Sequence, residues 1–260
     1  MGKVFVISTR KGGVGKTTSC ASLGIGLARQ GKRVLCIDCD NQHSLTVSLG
    51  VAEPDKLPVT LKTIITDIID EKDIDPTAGI IHHTEEVDLM PANNGLTGIE
   101  LTLASLIGRE TILRQYIEKV KPLYDYCILD TAPTLDLLTV NALAAADSVI
   151  IPVAPKFLDA KGLELLLKSI AQIRKHINPR LSIDGILLTM VDRRTNVTKE
   201  ITRMIEEAYG ESIRIFKDHV PHSVRAAEAS MTGKSIFTHD PNGKVAAAYD
   251  ALAKEVLEVA

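Results

Sequence analysis

The sequence contains no tryptophan, and aromatic residues make up only 3% of its 260 positions. Hydrophobic residues still account for 45%, so the core must be built mainly from aliphatic side chains. No apolar run approaches the roughly 18 residues that a membrane-spanning helix needs. The chain opens on an apolar strand pattern, without the basic segment and cleavage site of a secretory signal. We therefore expect a single globular domain over residues 1–260, located in the cytoplasm.

Cysteine is also scarce, with four residues at positions 20, 36, 39 and 127. Cys36 and Cys39 have C-x-x-C spacing, but an extended strand directs two such side chains to opposite faces. We expect buried, reduced cysteines rather than a disulfide or a metal cluster. The seven histidines have no acidic or cysteine companions at a convincing ligand spacing, so no histidine-based metal site is expected either.

The net charge of −3 does not by itself suggest a nucleic-acid partner. Its distribution is uneven, because residues 51–100 hold 11 Asp/Glu against 3 Lys/Arg. The remainder of the chain is mildly basic. This asymmetry predicts a surface with one acidic flank.

Apolar runs alternate with amphipathic stretches along the whole chain. The apolar runs predict strands at 4–8, 33–38, 87–90, 126–130, 148–153 and 183–190, with a short extended piece at 213–216. The amphipathic stretches predict helices at 16–30, 60–69, 95–107, 110–120, 138–146, 160–177, 198–209, 223–231 and 244–259. Continuous Val/Ile/Leu strands indicate an α/β fold with a mostly parallel, twisted sheet covered by helices on both faces. Ligands of such sheets bind at the carboxyl ends of the strands.

A glycine-rich loop follows the first predicted strand. It reads Lys-Gly-Gly-Val-Gly-Lys-Thr-Thr, and its members are Lys11, Gly12, Gly13, Val14, Gly15, Lys16, Thr17 and Thr18. Glycines let successive backbone N–H groups converge on phosphate oxygens, and the following helix adds its positive end. Lys16 is placed to meet the β- and γ-phosphates, and the Thr17 hydroxyl to ligate Mg²⁺. The loop predicts a P-loop protein that binds a nucleoside triphosphate with Mg²⁺.

The common P-loop has glycine at the position of Arg10, whereas here a second lysine, Lys11, opens the loop. This form resembles the deviant Walker A loop of the ParA/MinD family of ATPases. The resemblance implies an ATP-dependent homodimer in which Lys11 reaches the phosphates bound by the partner and acts as an arginine finger does elsewhere.

Three aspartates follow predicted strands. Asp38 and Asp40 end the second strand, and Asp130 ends the apolar strand at 126–130. A carboxylate at the end of such a strand is costly unless it meets a cation or hydrogen-bond donors, and Mg²⁺ is its natural partner. A role in capping a following helix is the alternative for all three. The family resemblance implies that Asp40 orients the attacking water, that Asp38 supports the magnesium shell and that Asp130 is the Walker B carboxylate. Asn41 and Ala132 stand where the family usually has proline.

The second half of the chain resembles the ParA branch of this family. Three stretches carry the likeness: residues 189–196, 220–225 and 240–246. The resemblance implies a base-binding site at Met190, Asp192, Val220 and Pro221. It also implies non-specific DNA contacts by Arg194 and Arg225, although His222 stands where the branch usually has arginine. A neutral histidine adds little attraction for phosphate.

These features predict a partition ATPase that dimerises with ATP and binds DNA without sequence preference. A ParB-like centromere-binding activator would stimulate its slow hydrolysis, and the ATP state would associate with the nucleoid. One alternative is a membrane-cycling ATPase like MinD, which needs a basic amphipathic C-terminal helix. The acidic residues of the tail at 246–260 disfavour it, so no membrane partner is expected. The other alternative is a ParA-like ATPase that positions a cargo other than DNA.

Overall fold

The computed structural model describes residues 2–192 and 194–259, and its centre is one seven-stranded sheet. The strands are β1 (Lys3–Ile7), β2 (Val34–Cys39), β3 (Ile81–His82), β4 (Asp88–Met90), β5 (Tyr126–Thr131), β6 (Ser148–Val153) and β7 (Ser182–Leu188). Their order is β3-β4-β2-β5-β1-β6-β7. Every pair is parallel except β3 with β4, which is antiparallel. The predicted α/β fold with a mostly parallel sheet is confirmed.

Helices cover both faces of this sheet. Those in the described residues are α1 (Lys16–Ala28), α2 (Ser44–Ser48), α3 (Leu61–Ile69), α4 (Leu96–Ala104), α5 (Ile112–Val120), α6 (Leu137–Ala145), α7 (Phe157–His176), α8 (Asn196–Tyr209), α9 (Val224–Met231), α10 (Ile236–His239) and α11 (Lys244–Val259). Short 3-10 turns occupy Pro54–Lys56 and Lys121–Leu123. In the part of the chain that is described, no helix has the length and apolar character needed to cross a membrane.

The sheet separates two hydrophobic cores. Helices α3 to α8 contribute to one core, and α1, α2 and α9 to α11 contribute to the other. Cys36 packs in the second core and Cys39 in the first, which confirms that their side chains lie on opposite faces. All four cysteines are free and buried, as the sequence predicts.

The carboxyl ends of the three central strands bring the expected site residues together. Asp130 on β5 is in register with Asp38 on β2 and with Ile7 on β1. The loop at 11–18 leaves the same end of β1 and leads into α1. The two strands that flank β5 thus bring the phosphate loop, from β1, and Asp38, from β2, to the same end of the sheet.

The main differences from the sequence prediction are short elements. Helices α2 and α10 and strand β3 were not predicted, because each has at most five residues and too little periodicity to stand out. Strand β7 ends at Leu188 rather than at residue 190, since Met190 adopts a left-handed conformation with φ 52°. The extended piece at 213–216 reaches the sheet through one parallel bridge, between Ile215 and Ile186.

Candidate functional site

The loop after β1 has the shape of an anion cradle. Gly13 and Gly15 adopt positive φ angles of 72° and 82°, which side chains other than glycine rarely accept. A Cβ atom added at either position, or at Gly12, would meet nothing within 4 Å, so the space above the loop is open. A hydrogen bond fixes the loop, because the buried Thr189 hydroxyl donates to the Val14 carbonyl at 2.7 Å.

Helix α1 presents an uncapped N-terminus to this space. Gly15 is its N-cap residue, no side chain of residues 2–192 or 194–259 caps the first turn, and no acidic residue lies in that turn. The first backbone N–H groups of a helix have no intrahelical acceptor and carry the positive end of the helix dipole. Together with the glycine loop, they form a site for a phosphate group.

Lys16, the first residue of α1, adds a full charge to the cradle. Its side chain is buried, and this desolvation lowers its pKa, while the nearby carboxylates of Asp130 and Asp40 act in the opposite direction. The ammonium group therefore feels the charges of Asp40, the predicted catalytic carboxylate, and of Asp130, a predicted metal ligand.

Asp130 is the least satisfied carboxylate of the site. It is completely buried, and its Oδ2 accepts a 2.7 Å hydrogen bond from the Thr17 hydroxyl. Its Oδ1 is also buried and has no hydrogen-bond partner among the described residues. Burial, followed by the charge of Asp38, raises the pKa of Asp130 to about 8, although Thr17 and Lys16 lower it.

The residues around Asp130 fit a magnesium ion. An orphaned carboxylate oxygen beside a threonine hydroxyl offers the hard oxygen donors that Mg²⁺ prefers. The described residues contain no cluster of three or more His, Cys, Asp or Glu that could hold a metal on its own. Protein sites for Mg²⁺ commonly use one or two carboxylates and complete the shell with waters and phosphate oxygens. Thr17 and Asp130 are the residues that would hold the ion here.

Asp38 has a different environment from Asp130. It is completely buried, and burial raises its pKa to about 6 against the opposing effect of its hydrogen bonds. Its Oδ2 accepts from the hydroxyl and the N–H of Thr46, at 2.7 and 2.8 Å, and its Oδ1 accepts from the N–H of Asp40 at 3.1 Å. Three donors satisfy this carboxylate, so its visible role is to hold the start of the segment that follows β2. Its support of a magnesium shell stays a prediction.

Asp40 directly follows β2, two residues after Asp38. It is almost completely buried, and its Oδ1 accepts a 2.9 Å hydrogen bond from the N–H of Gln42. Asn41, between them, accepts a 3.2 Å hydrogen bond from the Gln42 side chain. The turn is therefore closed by local hydrogen bonds without the proline that the family usually has there.

Lys11 is the first residue of the loop and is partly exposed. A Cβ atom added to Gly162 of α7 would lie 3.1 Å from Lys11 Cγ, so the stem of the lysine packs closely against the first turns of α7. Its predicted contact with the nucleotide of a second subunit stays a prediction.

A small cavity of about 270 Å³ adjoins the loop on the side of α9. Met190, Val220 and Pro221 line it together with Gly15 and Thr18 of the loop, and its walls are mostly apolar. The structure thus brings three of the four predicted base-binding residues to the phosphate cradle. A flat heterocycle attached to a phosphate chain fits this combination of apolar walls and cationic end.

Asp192, the fourth predicted base-binding residue, faces a neighbouring cleft of about 570 Å³ that also contains Arg194. Its two carboxylate oxygens accept hydrogen bonds from Nε and Nη2 of Arg194, at 2.8 and 2.9 Å. This guanidinium lowers the pKa of Asp192 to about 2. Asp192, which is expected to contact the nucleotide base, and Arg194, which is expected to contact DNA, therefore form an ion pair with each other.

Arg225, the second predicted DNA contact, is also paired. Its Nη1 lies 3.3 Å from Glu228 Oε2, one turn further along α9. Both arginines are exposed, so each is accessible to a partner, but each has a carboxylate that offsets its charge.

Comparison with known proteins supports the family resemblance. A family model described as an AAA domain matches residues 2–183. The sporulation initiation inhibitor protein Soj of Bacillus subtilis is 41% identical over 256 residues, which cover 98% of each chain. The chain belongs to the ParA/MinD family of ATPases. The chromosome partitioning protein ParA of Caulobacter vibrioides is 34% identical over 257 residues. The match covers 98% of this chain and 94% of the Caulobacter protein.

A solved structure agrees with the fold. The cobyrinic acid a,c-diamide synthase of Mycobacterium smegmatis, crystallised with ADP and magnesium, superposes with a TM-score of 0.85 at 32% identity. The match covers 99% of this chain and 95% of that one. The P-loop fold expected from the sequence is therefore confirmed.

Several residues of this ParA/MinD site were not found from the sequence. Thr46 and Thr189 make buried hydrogen bonds between segments that are far apart in the chain, and Tyr249 of α11 bonds Ser19 of α1 at 3.0 Å beside the apolar cavity. Thr46 and Tyr249 lie in no motif, and Thr189 opens the stretch at 189–196, whose likeness assigns it no role. Only the fold shows which carbonyl, amide or carboxylate it meets.

Proposed function

We propose that this protein is a partition ATPase that uses ATP and Mg²⁺ to move a plasmid or chromosomal DNA. The observation that carries the proposal is the buried Oδ1 of Asp130, which has no hydrogen-bond partner among the described residues and lies beside Thr17 in the first turn of α1. The near full-length similarity to Soj and to ParA of Caulobacter supports the choice of branch.

Each residue of the site has a separate role in ATP hydrolysis. Gly12 to Thr18 hold the phosphates, with Lys16 as the charged contact. Thr17 and Asp130 hold Mg²⁺, which neutralises phosphate charge when bound. Asp40 orients the water that attacks the γ-phosphate, with its carboxylate near Lys16. Asp38 supports this arrangement from behind.

A second copy of the chain completes the catalytic site. Lys11 leaves its packing position against α7 and meets the phosphates of the partner subunit, where it offsets charge that develops during transfer. ATP thus favours the homodimer. Hydrolysis is slow alone and is accelerated by a ParB-like centromere-binding protein.

DNA binding belongs to the ATP-bound dimer. Arg194 and Arg225 contact DNA phosphates without sequence preference, and pairing two copies doubles the number of such contacts. The protein is cytoplasmic and associates with the nucleoid in the ATP state.

The described part of α11 disfavours the membrane-cycling alternative. Leu252, Ala253 and Val256 are buried in the core, so the apolar face of this helix is already used for packing. Glu255 pairs with Arg214 at 2.9 Å, and Lys254 with Asp250 at 2.7 Å. A membrane helix needs a free apolar face and a basic polar face.

ATP turnover in the presence of Mg²⁺ tests the enzymatic part of the proposal. We expect slow turnover that Lys16→Ala abolishes together with nucleotide binding. Asp40→Asn should lower turnover by about 100-fold while ATP still binds, because it removes the group that orients water. An Asp40→Asn protein that hydrolyses ATP at the wild-type rate would reject this assignment.

A further inference from the structure

Thr46 links three separate segments behind the proposed active site. It is completely buried in the middle of α2. Its hydroxyl donates a 2.7 Å hydrogen bond to Asp38 Oδ2, and its backbone N–H donates to the same oxygen at 2.8 Å. Since the hydroxyl proton is directed at a carboxylate, a lone pair remains to accept the N–H of Ala92 at 2.9 Å. The end of β2, helix α2 and the segment after β4 meet at this side chain.

The segment after β4 is a firm anchor for this link. Ala92 is completely buried, and the carbonyl of Pro91 accepts a 2.8 Å hydrogen bond from the N–H of Leu61, at the start of α3. The anchor is therefore attached to the longer elements of the sheet and of the first core. Helix α2, by contrast, has five residues and cannot be stable without tertiary contacts.

Asp40 lies between the two ends of this link. Its N–H donates to Asp38 Oδ1 at 3.1 Å, and its own Oδ1 accepts from the N–H of Gln42, which leads into α2. Any displacement of Asp38 or α2 is transmitted to Asp40 through these short connections. The position of the Asp40 carboxylate thus depends on the same contacts that fix Asp38 and α2.

We propose that Thr46 is a positioning residue for ATP hydrolysis, which anchors Asp38 and α2 to Ala92 and thereby holds the Asp40 carboxylate in place. The proposal rests on the hydrolytic function proposed above. It assigns Thr46 no contact with nucleotide, so it predicts an effect on turnover that is separate from nucleotide affinity.

The substitution Thr46→Val tests this role, because it keeps the shape of the side chain and removes only the hydroxyl. Thr46→Ser keeps the hydroxyl and should restore activity. Thr139→Val on α6 is a matched control, since Thr139 is buried and its hydroxyl has no hydrogen-bond partner among the described residues. Each variant is compared with the wild type for ADP affinity by calorimetry and for kcat of ATP hydrolysis.

We expect Thr46→Val to lower kcat by about tenfold or more and to change the Kd for ADP by less than about twofold. Thr46→Ser and Thr139→Val should stay close to the wild type in both quantities. The proposal is overturned if Thr46→Val keeps kcat within about twofold of the wild type, or if its loss of ADP affinity equals its loss of turnover.

Amide hydrogen exchange of the wild-type protein without nucleotide gives a second, independent test. The N–H groups of Thr46 and Ala92 should exchange slowly and at similar rates, since one side chain connects them. Fast exchange at Ala92 beside a protected α3 would overturn the link even if Thr46→Val fails to fold. If the wild type hydrolyses no ATP, the proposed function fails, while the exchange rates still decide whether the link exists.

Discussion

At the residue scale, Asp130 shows how the site opposes the stability of the fold. Its carboxyl group is completely buried, and one of its oxygens has no hydrogen-bond partner in the described part of the chain, an arrangement that penalises the ionised form. A cation that binds this oxygen removes the penalty. The residue that stabilises a bound magnesium ion therefore destabilises the protein without it.

The pH dependence of stability should reveal this conflict. The folded pKa of Asp130, about 8, lies above the unfolded value, so its contribution to stability is complete in acid and is lost as the pH rises towards 8. We expect Asp130→Asn to be more stable than the metal-free wild type at pH 8, by on the order of 2 kcal/mol, with a smaller difference at pH 5. Denaturant unfolding at both pH values measures this.

Mg²⁺ with ADP supplies the control for that comparison. It should stabilise the wild type at pH 8 more than Asp130→Asn, because the variant keeps the phosphate loop but lacks the carboxylate that holds the ion. A variant that is less stable than the wild type at both pH values would show that the Asp130 carboxylate is a structural group rather than a site for a cation.

The pair between Asp192 and Arg194 leads to a second residue-scale prediction. Asp192 holds the guanidinium through two hydrogen bonds, so it competes with a DNA phosphate for the same donors. We expect Asp192→Asn to tighten DNA binding in the ATP state by about threefold to tenfold, with steeper salt dependence. Fluorescence anisotropy with a labelled duplex at several salt concentrations measures this, and unchanged or weaker binding would contradict it.

At the element scale, the predictable parts of the fold were those with a clear period. The long helices and the six main strands follow from apolar periodicity, although α7 begins at Phe157, three residues before the predicted start. Helix α2 could not be predicted because its stability comes from Asp38 and Thr46, which are buried polar contacts without a sequence pattern. The loop and its aspartates could be singled out from the sequence, since their chemistry is encoded locally, and the roles assigned to them stay predictions.

Helix α2 is also in close contact with the loop that follows α9. A Cβ atom added to Gly233 would lie 2.7 Å from the Cα of Gly50, just beyond the end of α2, and Gly233 has a φ of 65°. Movement of the segment after Asp40 would therefore displace α9, the helix that carries Arg225. This contact joins the proposed catalytic and DNA-binding elements.

Gly233→Ala should disturb both elements at once. We expect it to lower the free energy of unfolding by about 2–4 kcal/mol, from the left-handed backbone and the clash with Gly50. Gly31→Ala is the control, because Gly31 has a φ of 77° but open space around its Cβ position, so only the backbone cost of about 1 kcal/mol applies. Equal losses of unfolding free energy in the two variants, measured by denaturant unfolding, would show that the contact with Gly50 contributes nothing to stability.

At the scale of the whole molecule, one edge of the sheet gathers the phosphate cradle, the carboxylates and the apolar cavity. The second core connects this edge to α9 and α11, the elements that border the cavity. A nucleotide bound there would contact α1, the segment after β7 and α9 together. We propose that ATP converts this arrangement into a dimer that binds DNA.

A mobility-shift experiment with the full chain, a non-specific duplex and ADP, ATP or a non-hydrolysable ATP analogue measures this conversion. We expect salt-sensitive binding with ATP or its analogue, none with ADP, and loss of binding in an Arg194→Ala, Arg225→Ala double variant. If ATP-dependent dimers form but bind no DNA in any nucleotide state, the two arginines are not DNA contacts, and a positioning ATPase with another cargo surface becomes the better account.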